Sequence, residues 1–96
     1  MNLQVTARRF QLSEKLENLV QKEVHDLEKH FDNIQDVNVV LTTDHGVRHV
    51  DVTIHVPNHV MNSEIEGAEQ FITLVPTVMK KAGVQLQRYK EKLKKL

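Results

Sequence analysis

The sequence predicts an α/β fold, a two-layer βαβββα sandwich in which a four-stranded mixed sheet carries two helices on one face. Three observations predict it. Asn2-Leu3-Gln4-Val5-Thr6-Ala7 alternates polar and apolar residues with the period of a half-buried strand, and similar alternation recurs near Val37 to Leu41 and Val50 to Val56. Two longer stretches place apolar residues three and four apart, the spacing of a helix that buries one stripe. Asp44-His45-Gly46, between two of the alternating runs, is a hairpin signal.

Each element follows in order. After the first strand, Arg8 and Arg9 occupy a turn, and Ser13 is placed to cap a helix from about Glu14 to Phe31. Leu16, Leu19, Val20, Val24, Leu27 and Phe31 mark its inner face. Asp32-Asn33 stops it. Val37, Val39 and Leu41 then alternate with Asn38, Val40 and Thr42 in a second strand. In the third, Val50, Val52, Ile54 and Val56 face the core, leaving His49, Asp51, Thr53 and His55 on the wetter side. Pro57-Asn58-His59 turns the chain into a fourth strand near Val60 to Gly67. A helix between the first two strands implies a parallel pair with a right-handed crossover, while the short turns imply an antiparallel meander for the rest. Two helices with one apolar stripe each are satisfied together on one sheet face.

The last helix has two stripes. Val78, Ala82, Leu86, Tyr89, Leu93 and Leu96 form an apolar row, and Lys81, Arg88, Lys92 and Lys95 recur with the same spacing beside it. The only acid after Glu69 is Glu91. In a chain of zero formal net charge such segregation matters more than the total, because a phosphate backbone responds to local potential. Phe71, Val75, Val78 and Ala82 keep helical spacing across Pro76, which predicts a helix running through the proline with a kink or broken first turn; a start near Val75 is the alternative. Gly83 either weakens this helix or admits a close neighbour.

Composition sets bounds. Ninety-six residues make one domain over residues 1–96, able to fold without staples, and the absence of cysteine excludes disulfides and thiolate metal sites. The apolar runs are too short for a membrane span and no leader precedes the first strand, so a soluble cytoplasmic protein is expected. No thiol, phosphate-cradling glycine loop or nucleophile-elbow serine is present, which argues against an enzyme and against a small-molecule substrate or cofactor. His49 and His55 share a strand face with Asp51 between them, but their rings are too far apart to share an ion without a ligand from a neighbouring strand. His25 and His30 are five apart on a helix, so no metal is expected. With one Tyr, three Phe and no Trp, contacts to the backbone and shape of structured RNA suit the chain better than base stacking.

The element order, Leu16-Glu17-Asn18-Leu19-Val20, Leu27-Glu28-Lys29-His30-Phe31-Asp32, Val37-Asn38-Val39-Val40-Leu41 and Gln85-Leu86-Gln87-Arg88-Tyr89-Lys90-Glu91-Lys92-Leu93 together resemble the ribosome hibernation promoting factor family over essentially the whole chain. The chain is similar to its short members, without the additional C-terminal dimerisation domain of the long form. The resemblance implies a bacterial protein, monomeric off the ribosome, that lodges in the messenger and transfer RNA channel of the small ribosomal subunit and silences idle ribosomes. It also implies that Lys22, Lys29, Lys81, Arg88, Lys90 and Lys92 stand at or beside basic positions facing ribosomal RNA. The chain's own pattern adds Lys95 to the row. Arg8 and Arg9 join it as a basic turn ahead of a helix N-terminus. Lys15, Lys22 and Lys29 recur every seven residues and are expected to form the opposite wall of the same groove, with Asp26 close by. The chain departs from the family pattern at Gln70 to Pro76, at the acidic Glu23 and Asp26, and at Val84. The alternative function is a protein interaction module using the exposed sheet face or the Phe71 to Val75 cluster.

Overall fold

The computed structural model describes residues 1–94, so Lys95 and Leu96 of the two C-terminal stripes lie outside the described residues. The elements are β1 (Asn2–Arg8), α1 (Glu14–His30), β2 (Asp36–Asp44), β3 (Val47–Val56), β4 (His59–Gly67) and α2 (Phe71–Lys94), which is the expected βαβββα order. The sheet runs β1-β2-β3-β4, with β1 parallel to β2 and the other pairs antiparallel.

Register follows from the pattern of apolar residues. Leu3, Val5 and Ala7 stand beside Val37, Val39 and Leu41, which in turn face Ile54, Val52 and Val50. A slip by one residue would turn this whole set into water. His45 (φ 50°) and Gly46 (φ 81°) both take positive φ between the closing pair Asp44 and Val47, the requirement of a type I′ hairpin. Pro57 and Asn58 make the next turn, and Asn58 (φ 64°) supplies the positive φ that a type II turn needs after proline.

Both helices pack on one sheet face. From α1, Leu16, Val20, Val24 and Leu27 are buried; from α2, Phe71, Leu74, Val75, Val78, Met79, Ala82 and Leu86 join them over the valine-rich centre of β2 and β3. Burying each of these side chains other than Ala82 contributes about 1.5–3 kcal/mol relative to leaving it exposed.

Several boundaries move slightly. Arg8 is the last residue of β1 rather than part of the turn, and α1 stops at His30 because Phe31 is already extended, its N–H still bonded to the Leu27 carbonyl 3.1 Å away. Ser13 caps α1 as expected, its hydroxyl accepting from the Leu16 N–H at 3.1 Å. Leu93 is half exposed instead of lying inside the apolar row. Helix α2 passes continuously through Pro76, so the boundary near Val75 is not the one adopted. It begins where the Gln70 carbonyl accepts the Thr73 and Leu74 N–H groups. Ile72, whose carbonyl the proline leaves without its helical donor, is 63% exposed, so water reaches that end of the turn.

Candidate nucleic-acid interface

The apolar stripe of α2 fixes where its cations go. With Val78, Ala82 and Leu86 against the sheet, Lys81, Arg88 and Lys92 emerge on the flank beside β4, all exposed. The Lys81 Nζ donates to the Glu64 carbonyl of β4 at 2.8 Å. Arg88 and Lys92 border a shallow hollow with His59, Met61 and Gln85. Tyr89 closes its floor: the phenol donates to the Pro57 carbonyl at 3.0 Å and the ring stacks on His59, with centroids 4.9 Å apart and planes 6° apart. Tyr89 thus holds the end of α2 to the β3–β4 turn. Among the described residues, no acid lies within ion-pair distance of Lys81, Arg88 or Lys92, so no carboxylate neutralises their charge.

The lysines of α1 do not form the opposite wall of that surface. The groove between the helices, about 590 Å³, is lined from α1 by Glu23, Asp26, Leu27 and His30 and from α2 by Pro76, Met79, Lys80, Gly83, Val84 and Gln87. Arg88 and Lys92, which border the other hollow, and Lys81, bonded to β4, lie on the other side of α2. The reason is helical phase: Lys81 follows Lys80 by 100°, enough to carry it from the groove to the β4 flank. Lys15, Lys22 and Lys29 are exposed on α1 and form a separate row. Lys90 stands apart again, beside Phe31, Asp32 and Asn33 at the end of α1. Lys80 faces the groove and was missed as a site residue because it is out of phase with the Lys81 row.

Arg8 and Arg9 diverge. Arg8 is exposed at the end of β1, whereas Arg9 takes φ 66° and its guanidinium lies 3.0 Å from the Asp44 carboxylate in the β2–β3 turn. The Arg9 carbonyl also accepts from the Thr43 hydroxyl at 2.9 Å. Arg9 is therefore tied to the β2–β3 hairpin. Arg48, unremarked in the sequence, donates to the Ala68 and Glu69 carbonyls at 3.0 and 3.3 Å and lies 5.9 Å over the Phe71 ring, pinning the entry to α2. Phe71 in turn stacks on Phe10 at 5.0 Å.

The uncovered sheet face has the opposite charge. Asp36, Asp51, Glu64 and Glu66 share it with Arg8, His49 and His55, as the strand register dictates. His49 and His55 remain apart, but the missing neighbouring-strand ligand exists: Glu64 reaches within 3.1 Å of His49 Nε2. The Phe71 to Val75 cluster is not an exposed patch, since Phe71, Leu74 and Val75 are buried and Ile72 is its only apolar residue in water.

Layer order and charge distribution define a small α/β module with a cationic second helix and an acidic sheet face. The chain belongs to the sigma 54 modulation protein / S30EA ribosomal protein family, whose sequence model matches residues 3–94. It is 30% identical over 94 residues to the ribosome hibernation promoting factor of Escherichia coli (strain K12), covering 98% of each chain. Its fold is that of a ribosomal subunit interface protein from Coxiella burnetii (TM-score 0.87, 24% identity, 95% of this chain and 99% of that one). The N-terminal domain of Thermus thermophilus Protein Y is also similar (TM-score 0.81, 18% identity, 93% and 99% covered). No helix of the described residues is long and apolar enough to cross a membrane.

Proposed function

We propose that this protein is a ribosome-associated translation regulator that binds ribosomal RNA of the small subunit and inhibits translation by occluding the messenger and transfer RNA channel. Membership of a family whose curated relatives are named ribosome hibernation promoting factors supports ribosome association in the cytoplasm. The observation that carries the RNA reading is the exposed row of Lys81, Arg88 and Lys92, without acidic partners among the described residues, on a helix anchored by seven buried side chains. Cations on a packed helix need little ordering on binding, so more of their attraction to phosphates is retained. Lys22 and Lys29 on α1, Lys90 and Lys95 on the C-terminal segment, and Arg8 add contacts at the margins. The function requires no catalytic chemistry, cofactor or small-molecule substrate; the protein acts by occupying space as one domain.

Sedimentation with small subunits at low and moderate salt tests this reading. Phosphate-dominated binding falls linearly on a log–log plot, each contact contributing a slope of about −0.7 to −0.9. Binding that is indifferent to salt would contradict it.

A further inference from the structure

The β3–β4 side of the uncovered sheet face holds an arrangement that the ribosome reading does not use. Asp51 of β3 and Glu64 of β4 are direct cross-strand partners. Two carboxylates in that relation repel each other. His49 lies two residues before Asp51 on the same face, and its Nε2 is 3.1 Å from a Glu64 carboxylate oxygen. One donor atom from each of the three residues lies within 4.8 Å of the other two.

We propose that His49, Asp51 and Glu64 form a binding site for a divalent transition ion of the zinc class. Ligand atoms about 2.0–2.2 Å from a tetrahedral ion stand about 3.4 Å apart, so modest side-chain rotation closes the set around a cation. Asp51 is already oriented for this. Its Oδ1 accepts from Asn62 Nδ2 at 2.8 Å and from the Thr53 hydroxyl at 3.4 Å, which leaves Oδ2 available to the metal. A bound cation also relieves the repulsion between the paired carboxylates. The imidazole favours zinc over magnesium and calcium, which prefer oxygen ligands alone. Three protein ligands on an open sheet leave the remaining coordination to water, so the site is exchangeable. It lies on the face away from the helices and stands independently of the RNA reading.

Calorimetric titration of the purified protein with zinc chloride, paired with amide NMR, tests the site. The expected result is saturable binding of one ion per chain, with shifts centred on residues 49, 51 and 64. Zinc should also raise the melting temperature. His49→Ala should abolish binding, and Asn62→Ala, which removes the support of Asp51, should weaken it by about 10- to 100-fold. Folding of both variants is checked by their NMR spectra, and His25→Ala on α1 should bind as wild type does. Absence of saturable binding, retention of wild-type affinity by folded His49→Ala, or displacement of zinc by equimolar magnesium would overturn the proposal.

Discussion

The two flanks of α2 differ although they belong to one continuous helix. The flank beside β4 presents Lys81, Arg88 and Lys92, while the flank facing α1 carries Pro76, Gly83 and Val84 opposite Glu23 and Asp26. Glu23, Asp26, Pro76 and Val84 thus meet in one groove, and the row formed by Lys81, Arg88 and Lys92 lies outside it. A helix allows this because a shift of one residue rotates a side chain by 100°. The difference teaches that the helical layer is not a uniform basic surface: Lys81, Arg88 and Lys92 line one side of α2, and its proline and glycine line the other.

The largest expected effect comes from reversing charge on the β4 flank. Lys81→Glu, Arg88→Glu and Lys92→Glu together should abolish sedimentation with small subunits while leaving the circular dichroism spectrum near wild type, since all three are exposed. They should lower the urea midpoint only through the loss of the Lys81 bond to the Glu64 carbonyl, about 0.5–1.5 kcal/mol. Lys80→Glu, on the groove flank, should have a smaller effect. Equal losses from the single groove change and the triple change would break the comparison.

On the groove flank the expected effects are on stability. Pro76 forfeits the hydrogen bond to the Ile72 carbonyl within an otherwise continuous helix. Replacing it by Ala should raise the urea midpoint at unchanged slope, by a sizeable part of the ~3 kcal/mol that an interior proline costs. A lower midpoint would show that restriction of the unfolded chain by the proline outweighs the lost bond.

A smaller gain is expected at Gly83, where an added Cβ would sit 3.6 Å from Leu27 Cδ2, ordinary contact distance. The groove has room for the methyl group. Gly83→Ala should stabilise by about 0.4–1 kcal/mol in urea unfolding. Destabilisation would mean that α1 and α2 need the close approach that only glycine permits.

How much of this was legible in the sequence depends on the period that encoded it. Strand alternation exposed β1, β2 and β3 and the inward set Val50, Val52, Ile54 and Val56, because a period of two survives in any half-buried strand, whereas β4 was read from the Pro57-Asn58-His59 turn before it. Ser13 and Asp44-His45-Gly46 were readable because a cap and a tight hairpin each demand particular chemistry. The cationic row was readable from its spacing. Its position relative to α1 was not, since helical periodicity gives angles about one axis and leaves the neighbour's side undetermined. The relation between β3 and β4 was likewise hidden: the pairing of Asp51 with Glu64 follows from the length of the Pro57-Asn58 turn, so the sequence alone left His49 without a partner. Arg48 was overlooked because its partners are backbone carbonyls, which carry no sequence signal.

Competition for the channel tests the central claim most directly. Small subunits alone, and subunits preloaded with messenger and transfer RNA, would be incubated with the protein at one salt concentration and separated by sedimentation. Occlusion predicts stoichiometric binding to vacant subunits and exclusion from loaded ones, with excess protein in turn preventing transfer RNA from binding. Equal binding to vacant and loaded subunits, with transfer RNA undisturbed, would contradict the account.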